Sequence, residues 1–295
     1  MSWLRSMCVL VAVTFAQNGL LWAEVAKPAS AYQGWREAVG KNREQRVEYW
    51  VRKPCETPWT SAVILVPPLL ERAEYWAKST RFIAALDRLC PAAIYAVSLR
   101  GRGQSTAPKH GFEPEHHHTD IATVARTEKL PRFQLVGEGT GGEYALGYTF
   151  IGQPVMDALV VINGLPAIAV LPEGWATKAM KGAGGGRYTR ALVQGLSEEH
   201  GPPVWRLEVA PGEKKPFSRS VVHMMFRLTV PLFVLLERKT MPPFAGKMYA
   251  DSPSLLLRWF DGSGVMMDRD DVHDTVIGAL LLTRLFKQFE YNIDE

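Results

Sequence analysis

The sequence predicts an open, mostly parallel α/β sheet with helices on both faces. Three observations carry that expectation. Short apolar runs rich in β-branched residues alternate with stretches whose apolar positions recur at helical spacing. A glycine-lined turn, Gly137-Glu138-Gly139-Thr140-Gly141, joins one such run to the helix after it. Hydrophobic residues make up 47% of the 295 and charged residues 22%, which suits one large domain with a sizeable core.

The elements follow in chain order. Residues 1–23 have the make-up of a secretory signal: Arg5, an apolar run from Met7 to Ala16, then a break before Leu20-Leu21-Trp22 and a small residue, Ala23, at the cleavage point. A later cleavage point lies at Ala31, after Ala29 and Ser30. The alternative is an uncleaved anchor, but Gln17, Asn18 and Gly19 leave the span short of a bilayer crossing. One domain is expected over 32–295. Residues 34–46 are polar and read as peripheral, whereas 46–52 alternates charged residues with Val and Trp as a half-buried strand does. Residues 61–66 form a continuous β-branched run, stopped by Pro67 and Pro68, and read as a fully buried parallel strand. One helix is expected over 74–89 from the spacing of Trp76, Phe82, Ile83, Leu86 and Leu89. A strand over 92–97, a helix over 120–129, a strand over 133–136, a helix over 142–150 and a strand over 158–162 continue the alternation.

The pattern fails at about 167–217. Gly182-Ala183-Gly184-Gly185-Gly186, Pro202-Pro203 and Lys214-Lys215-Pro216 mark a cap insertion over the C-terminal edge of the sheet. The glycine run is no phosphate loop, because no Gly-Lys-Ser/Thr follows it. Regular structure resumes over 218–228, with strands over 232–236 and 255–260 and a closing helix over 271–289.

Composition excludes some function classes. The formal net charge is +4 and basic clusters such as Arg100-Gly101-Arg102 are too short to track phosphates, which argues against nucleic-acid binding. After signal removal no membrane span is expected, and Cys55 and Cys90 either pair in an oxidising compartment or stay as two buried thiols.

Two motifs point to a family. Ser98-Leu99-Arg100-Gly101-Arg102-Gly103-Gln104-Ser105 resembles the D-x-R-G-x-G-x-S loop of α/β-hydrolase-fold proteins, and Gly137 to Gly141 resembles the G-x-S-x-G nucleophile elbow. They lie in family order and spacing, so the resemblance implies an α/β-hydrolase-like fold, closely over 63–162 and more loosely towards the C-terminus. It also implies where a triad should be. The nucleophile position falls on Gly139, the acid on Thr240 (or Lys239), and the histidine on Val265. The segment that helps form the oxyanion hole falls on Pro67-Pro68, and proline has no N–H to donate. The same resemblance gives Asp120 a structural role. Losing one triad member typically costs about four to six orders of magnitude in rate, so a chain lacking all three retains little acyl-transfer chemistry by that route.

Other residues are candidates for rescue. Thr140 is the nearest hydroxyl to the turn, with capping of the helix as its alternative role. Glu138 is a carboxylate at the pocket floor that either acts in chemistry or meets the helix N-terminus. His273, among Asp270, Asp271 and Asp274, reaches the histidine position only if the last loop is longer than aligned. His116 and Asp120 at i, i+4 are weak candidates for a metal pair, though three successive histidines on a helix point in three directions. Pro67, Pro68, Leu69, Gly139 and Thr140 are expected to line the pocket. The expectation is an exported (periplasmic or secreted), non-catalytic member with no cofactor and no metal, binding a small apolar ligand or a protein partner. The alternative is an esterase-like hydrolase that uses Thr140 or Glu138 with His273.

Overall fold

A computed structural model describes residues 34–43, 45–58, 60–68, 71–108, 114–164, 225–239, 241, 245–261 and 269–291. The expected signal, the whole of the cap insertion at 167–217, and Leu69, Thr240 and Val265 lie outside the described residues.

The strands are β1 (Arg36–Asn42), β2 (Gln45–Arg52), β3 (Ala62–Val66), β4 (Ile94–Val97), β5 (Phe133–Glu138), β6 (Met156–Ile162), β7 (Leu232–Glu237) and β8 (Leu255–Phe260). They form one sheet in the order β1-β2-β4-β3-β5-β6-β7-β8. β1 and β2 pair antiparallel at one edge, and β2 is antiparallel to β4. Every pairing from β4 onward is parallel. β3, β5, β6 and β7 are buried at every position, as strands covered on both faces must be.

Two apolar layers hold helices to the two faces. On one, Ile64 and Val66 pack with α3 (Pro114–Thr127) and α4 (Thr140–Gly152) through Ile121, Val124, Ala145 and Leu146. On the other, Val63 and Leu65 pack with α1 (Ala73–Lys78), α2 (Thr80–Arg88) and α5 (Asp270–Tyr291) through Trp76, Phe82, Leu86, Val276 and Leu280. Adjacent residues of β3 thus serve opposite layers, and each fully buried Val, Leu or Ile contributes roughly 1.5–3 kcal/mol. No helix among the described residues is long and apolar enough to cross a membrane.

Three local expectations need correction. Residues 34–46 are not merely peripheral: β1 pairs with β2 from Arg36↔Val51 to Asn42↔Gln45, an edge strand too polar to show by periodicity. The single helix over 74–89 is two, broken at Ser79, whose hydroxyl donates to the Tyr75 carbonyl and competes with the helical ladder. The helix placed at 120–129 begins six residues earlier, at Pro114, where a proline lacking N–H costs nothing in the first turn. Of the stretch 218–228, residues 218–224 lie outside the described residues, and Met225–Arg227 forms a 3-10 turn.

Cys55 and Cys90 form a disulfide across 35 residues, tying the segment after β2 to the end of α2. Closing a loop of that length removes unfolded-state entropy worth about 4 kcal/mol.

The loop after β4 is pinned from two sides. Asp120 on α3 accepts from Arg100 Nε (3.0 Å) and Nη2 (2.6 Å) and from its backbone N–H (2.9 Å), with both side chains buried. Ser98 stands where the resembled loop has Asp. In its place Glu48 of β2 supplies a carboxylate, accepting from the Gln104 N–H (2.5 Å) and the Trp50 indole (3.1 Å). The Ser98 hydroxyl accepts from the Ala73 N–H at 3.0 Å, joining this loop to the start of α1.

Candidate functional site

The site is built on the turn between β5 and α4. β5 ends at Glu138, Gly139 has φ 56° and ψ −128°, and α4 starts at Thr140. That conformation is nearly closed to residues with a side chain unless the surroundings impose it. The Gly139 N–H donates to the Ile162 carbonyl of β6 (2.8 Å), while its own carbonyl accepts from the N–H groups of Gly142 and Glu143. Both ends of the turn are therefore tied into regular structure.

The flanking glycines are required by space. A Cβ on Gly137 would lie 2.5 Å from the Gly141 carbonyl oxygen, and one on Gly141 would lie 2.3 Å from the Pro67 oxygen and 2.5 Å from the Val66 oxygen. All of these obstacles are backbone, so no side-chain movement relieves them. Gly139 differs: among the described residues a Cβ there meets only Pro68, at 3.4 Å, an ordinary contact distance. The apex has room for a side chain and carries none.

Thr140 is half-buried at the first helical position. Its hydroxyl is shielded from solvent and makes no hydrogen bond among the described residues, so it does not cap α4. Glu138 is buried and accepts from the Tyr75 hydroxyl at 2.5 Å. His273 sits in the first turn of α5, buried against Phe82 (5.5 Å between ring centres), with Nδ1 3.8 Å from an Asp270 carboxylate oxygen. A file of ring contacts, Tyr75–Trp76 (5.3 Å), Trp76–Phe82 (5.6 Å) and Phe82–His273, runs from the partner of Glu138 to His273. The structure thus brings Pro68, Gly139 and Thr140 together, with Glu138 just behind, and places His273 at the far end of an aromatic layer. Of the residues at the expected acid position, Lys239 is exposed after β7.

The histidine run separates as helix geometry dictates. His116 is exposed, its carbonyl accepting from Arg100 Nη2; His117 is buried and stacks on Tyr144 (4.2 Å); His118 faces Gly147. Burial holds the His118 imidazole down at about 4, with attraction from Glu115 opposing it weakly. Asp120 is turned to Arg100 rather than to His116. Among the described residues no group of three or more His, Cys, Asp or Glu is placed to hold a metal ion.

Arg102 and Tyr144 were missed as site residues. Arg102 is 3% exposed, and none of its three side-chain nitrogens makes a hydrogen bond of ordinary geometry among the described residues. Tyr144, Asp120 and Glu71 are its polar surroundings, and burial draws its guanidinium below the usual value. Its signal lay inside the R-G-R-G loop, where a second arginine follows the one that Asp120 holds.

The comparisons accord with this architecture. The family model "Alpha/beta hydrolase family" matches residues 63–281. No curated protein matches the sequence significantly. Among solved structures, a membrane phospholipase A described as a novel bacterial virulence factor superposes with TM-score 0.65 at 13% identity, over 94% of this chain and 91% of its own. A haloalkane dehalogenase, DatA of Agrobacterium tumefaciens C58, gives 0.62 at 14%, over 87% and 99%. Proline iminopeptidase of Mycobacterium smegmatis gives 0.59 at 14%, over 85% and 100%. At such identities these likenesses speak to fold alone. With the sheet order, the glycine-lined turn and a family match spanning most of the chain, the protein belongs to the alpha/beta hydrolase family.

Proposed function

We propose that this chain is an exported family member that binds a small apolar ligand, or a protein partner, without turning it over. One observation carries the reading: the apex of the strand-to-helix turn is Gly139, in the conformation a nucleophile would need and with space for its side chain, yet with no reactive atom. The alignment of Thr240 and Val265 with the acid and histidine positions supports it, as does the lack of N–H at Pro67 and Pro68. The disulfide and the signal-like start support export to an oxidising compartment.

A second reading has one observation in its favour. The Thr140 hydroxyl is shielded and unbonded among the described residues, one residue from the apex, and chains similar in fold are described as an iminopeptidase and a haloalkane dehalogenase. Esterase-like action by Thr140 or Glu138 with His273 would then be expected. Purified metal-free protein should show neither labelling by a fluorophosphonate nor hydrolysis of p-nitrophenyl butyrate above buffer. Gly139→Ser should not create a fast enzyme, because a hydroxyl without its base and carboxylate lacks most of the triad's effect. Turnover by the wild type that disappears in Thr140→Ala or His273→Ala would transfer the assignment to the second reading.

A further inference from the structure

The ligand-binding reading leaves the polar anchor unspecified, and Arg102 supplies one. A guanidinium carries five N–H donors and stays charged, so burying it with Tyr144 as its one hydrogen-bonding side chain among the described residues is a costly arrangement for a fold to hold. The carboxylates of its loop are engaged elsewhere. Asp120 takes three bonds from Arg100, and Glu48 takes the Gln104 N–H and the Trp50 indole. Glu71, the remaining acid near it, is exposed and forms no ion pair with it.

The position of this cation matters as much as its lack of an ion pair among the described residues. Arg102 meets Tyr144 in the second turn of α4, the helix that the glycine apex opens. Glu71, on its other side, donates its N–H to the Pro68 carbonyl, and Pro68 is the residue bordering the open space at Gly139. Another shielded donor without a partner among the described residues, the Thr140 hydroxyl, begins the same helix. This 13-residue helix also turns its positive end to the turn. A buried cation with donors to spare, a shielded hydroxyl without a partner among the described residues and a helix N-terminus thus belong to one neighbourhood beside the glycine apex.

We infer that the ligand is an apolar carboxylic acid, its carboxylate held by Arg102 and its chain lying along the apex towards Thr140. A planar guanidinium fits a carboxylate through two parallel N–H bonds, which a point charge cannot match. The inference rests on the ligand-binding reading, and the test separates the two.

Isothermal titration of the full chain with octanoate, octan-1-ol and octylamine at pH 7.5 presents one apolar tail with three head groups. The expected order of affinity is octanoate, then octan-1-ol, then octylamine, with octanoate favoured over the alcohol by about ten-fold or more. In Arg102→Gln the octanoate preference should vanish while octan-1-ol binding persists. If the alcohol binds the wild type as well as the acid does, or if Arg102→Gln keeps the preference, the acid assignment fails and the apolar site stands. If none of the three binds the wild type, both readings fail. Should Arg102→Gln not fold, the wild-type order decides the matter, and Arg102→Lys should fold with the preference reduced but present.

Discussion

The two outer glycines of the turn and the one at its apex obey different constraints. At Gly137 and Gly141 the neighbouring backbone passes so close that no side chain fits. At Gly139 the space is open, and only the backbone conformation favours glycine. Packing therefore accounts for the flanks and does not account for the apex. The frame of a hydrolase turn is held in place by the crossing of β3, β5 and α4, independently of whether any chemistry is carried at its tip. This is why a strand-turn-helix can identify the fold while saying little about activity.

The sharpest way to break the comparison is to add one methyl group at each position. Gly141→Ala drives a Cβ against two backbone oxygens, and should cost on the order of 4 kcal/mol or prevent folding altogether. Gly139→Ala adds a methyl group to open space and pays only for its unusual backbone, about 1–2 kcal/mol. Urea denaturation of both variants measures the difference. Equal losses would mean that the apex is held by packing as tightly as the flanks, and the distinction would fall.

Gly147 lies between these extremes and sharpens the contrast. Its missing Cβ is replaced by the His118 ring, whose Nε2 would sit 2.1 Å from such an atom. Here a side chain, not backbone, fills the space, and its protonation becomes a stability term. The imidazole titrates at about 4 in the folded chain and near 6.5 when exposed, because burial disfavours its charged form. Above pH 6.5 the ring is neutral in both states and its contribution is complete. As pH falls from 6.5 to 4 the unfolded chain takes up the proton first, and stability drops by up to roughly 3 kcal/mol. Urea midpoints measured between pH 7.5 and 4 should show this slope, and His118→Gln should flatten it. A slope unchanged in the variant would assign the acid sensitivity to other groups.

Much of this was legible in the sequence, for identifiable reasons. The β-branched runs over 61–66 and 158–162 mark central strands because burial on both faces demands apolar residues at every position. The turn at Gly137 to Gly141 is legible because close backbone approach leaves glycine as the sole choice. β1 was hidden, since an edge strand exposed along much of its length needs no apolar alternation. The break at Ser79 was hidden too, because the apolar spacing continues across it while a hydroxyl-to-carbonyl bond ends the first helix. Arg102 illustrates the remaining limit. A residue's type shows that it can carry charge, but only the fold shows that Arg100 takes the available acid and leaves the second arginine without one.

The smallest expected effect concerns Ser98, where a departure from the family loop is compensated rather than left open as at Gly139. The Glu48 carboxylate lies beside the Ser98 hydroxyl: both fall within about 3 Å of the point where a Cβ on Gly103 would sit. Glu48→Ala removes the acceptor for the Gln104 N–H and the Trp50 indole, and should cost about 1–3 kcal/mol by urea denaturation. Ser98→Asp alone should also destabilise, because it sets a second carboxylate against the first in a buried place. Combined, the two changes return one carboxylate to the loop from the other strand, so the double variant should be more stable than the sum of the single losses by about 1 kcal/mol or more. The sign of that coupling is the decisive quantity. A positive coupling means that the acid of this loop has only changed strands, so departures from a family pattern can preserve a structural role. A coupling of zero would mean that Glu48 and Ser98 do not share one role, and Ser98 would join Gly139 as a position where the pattern's side chain was lost with nothing in its place.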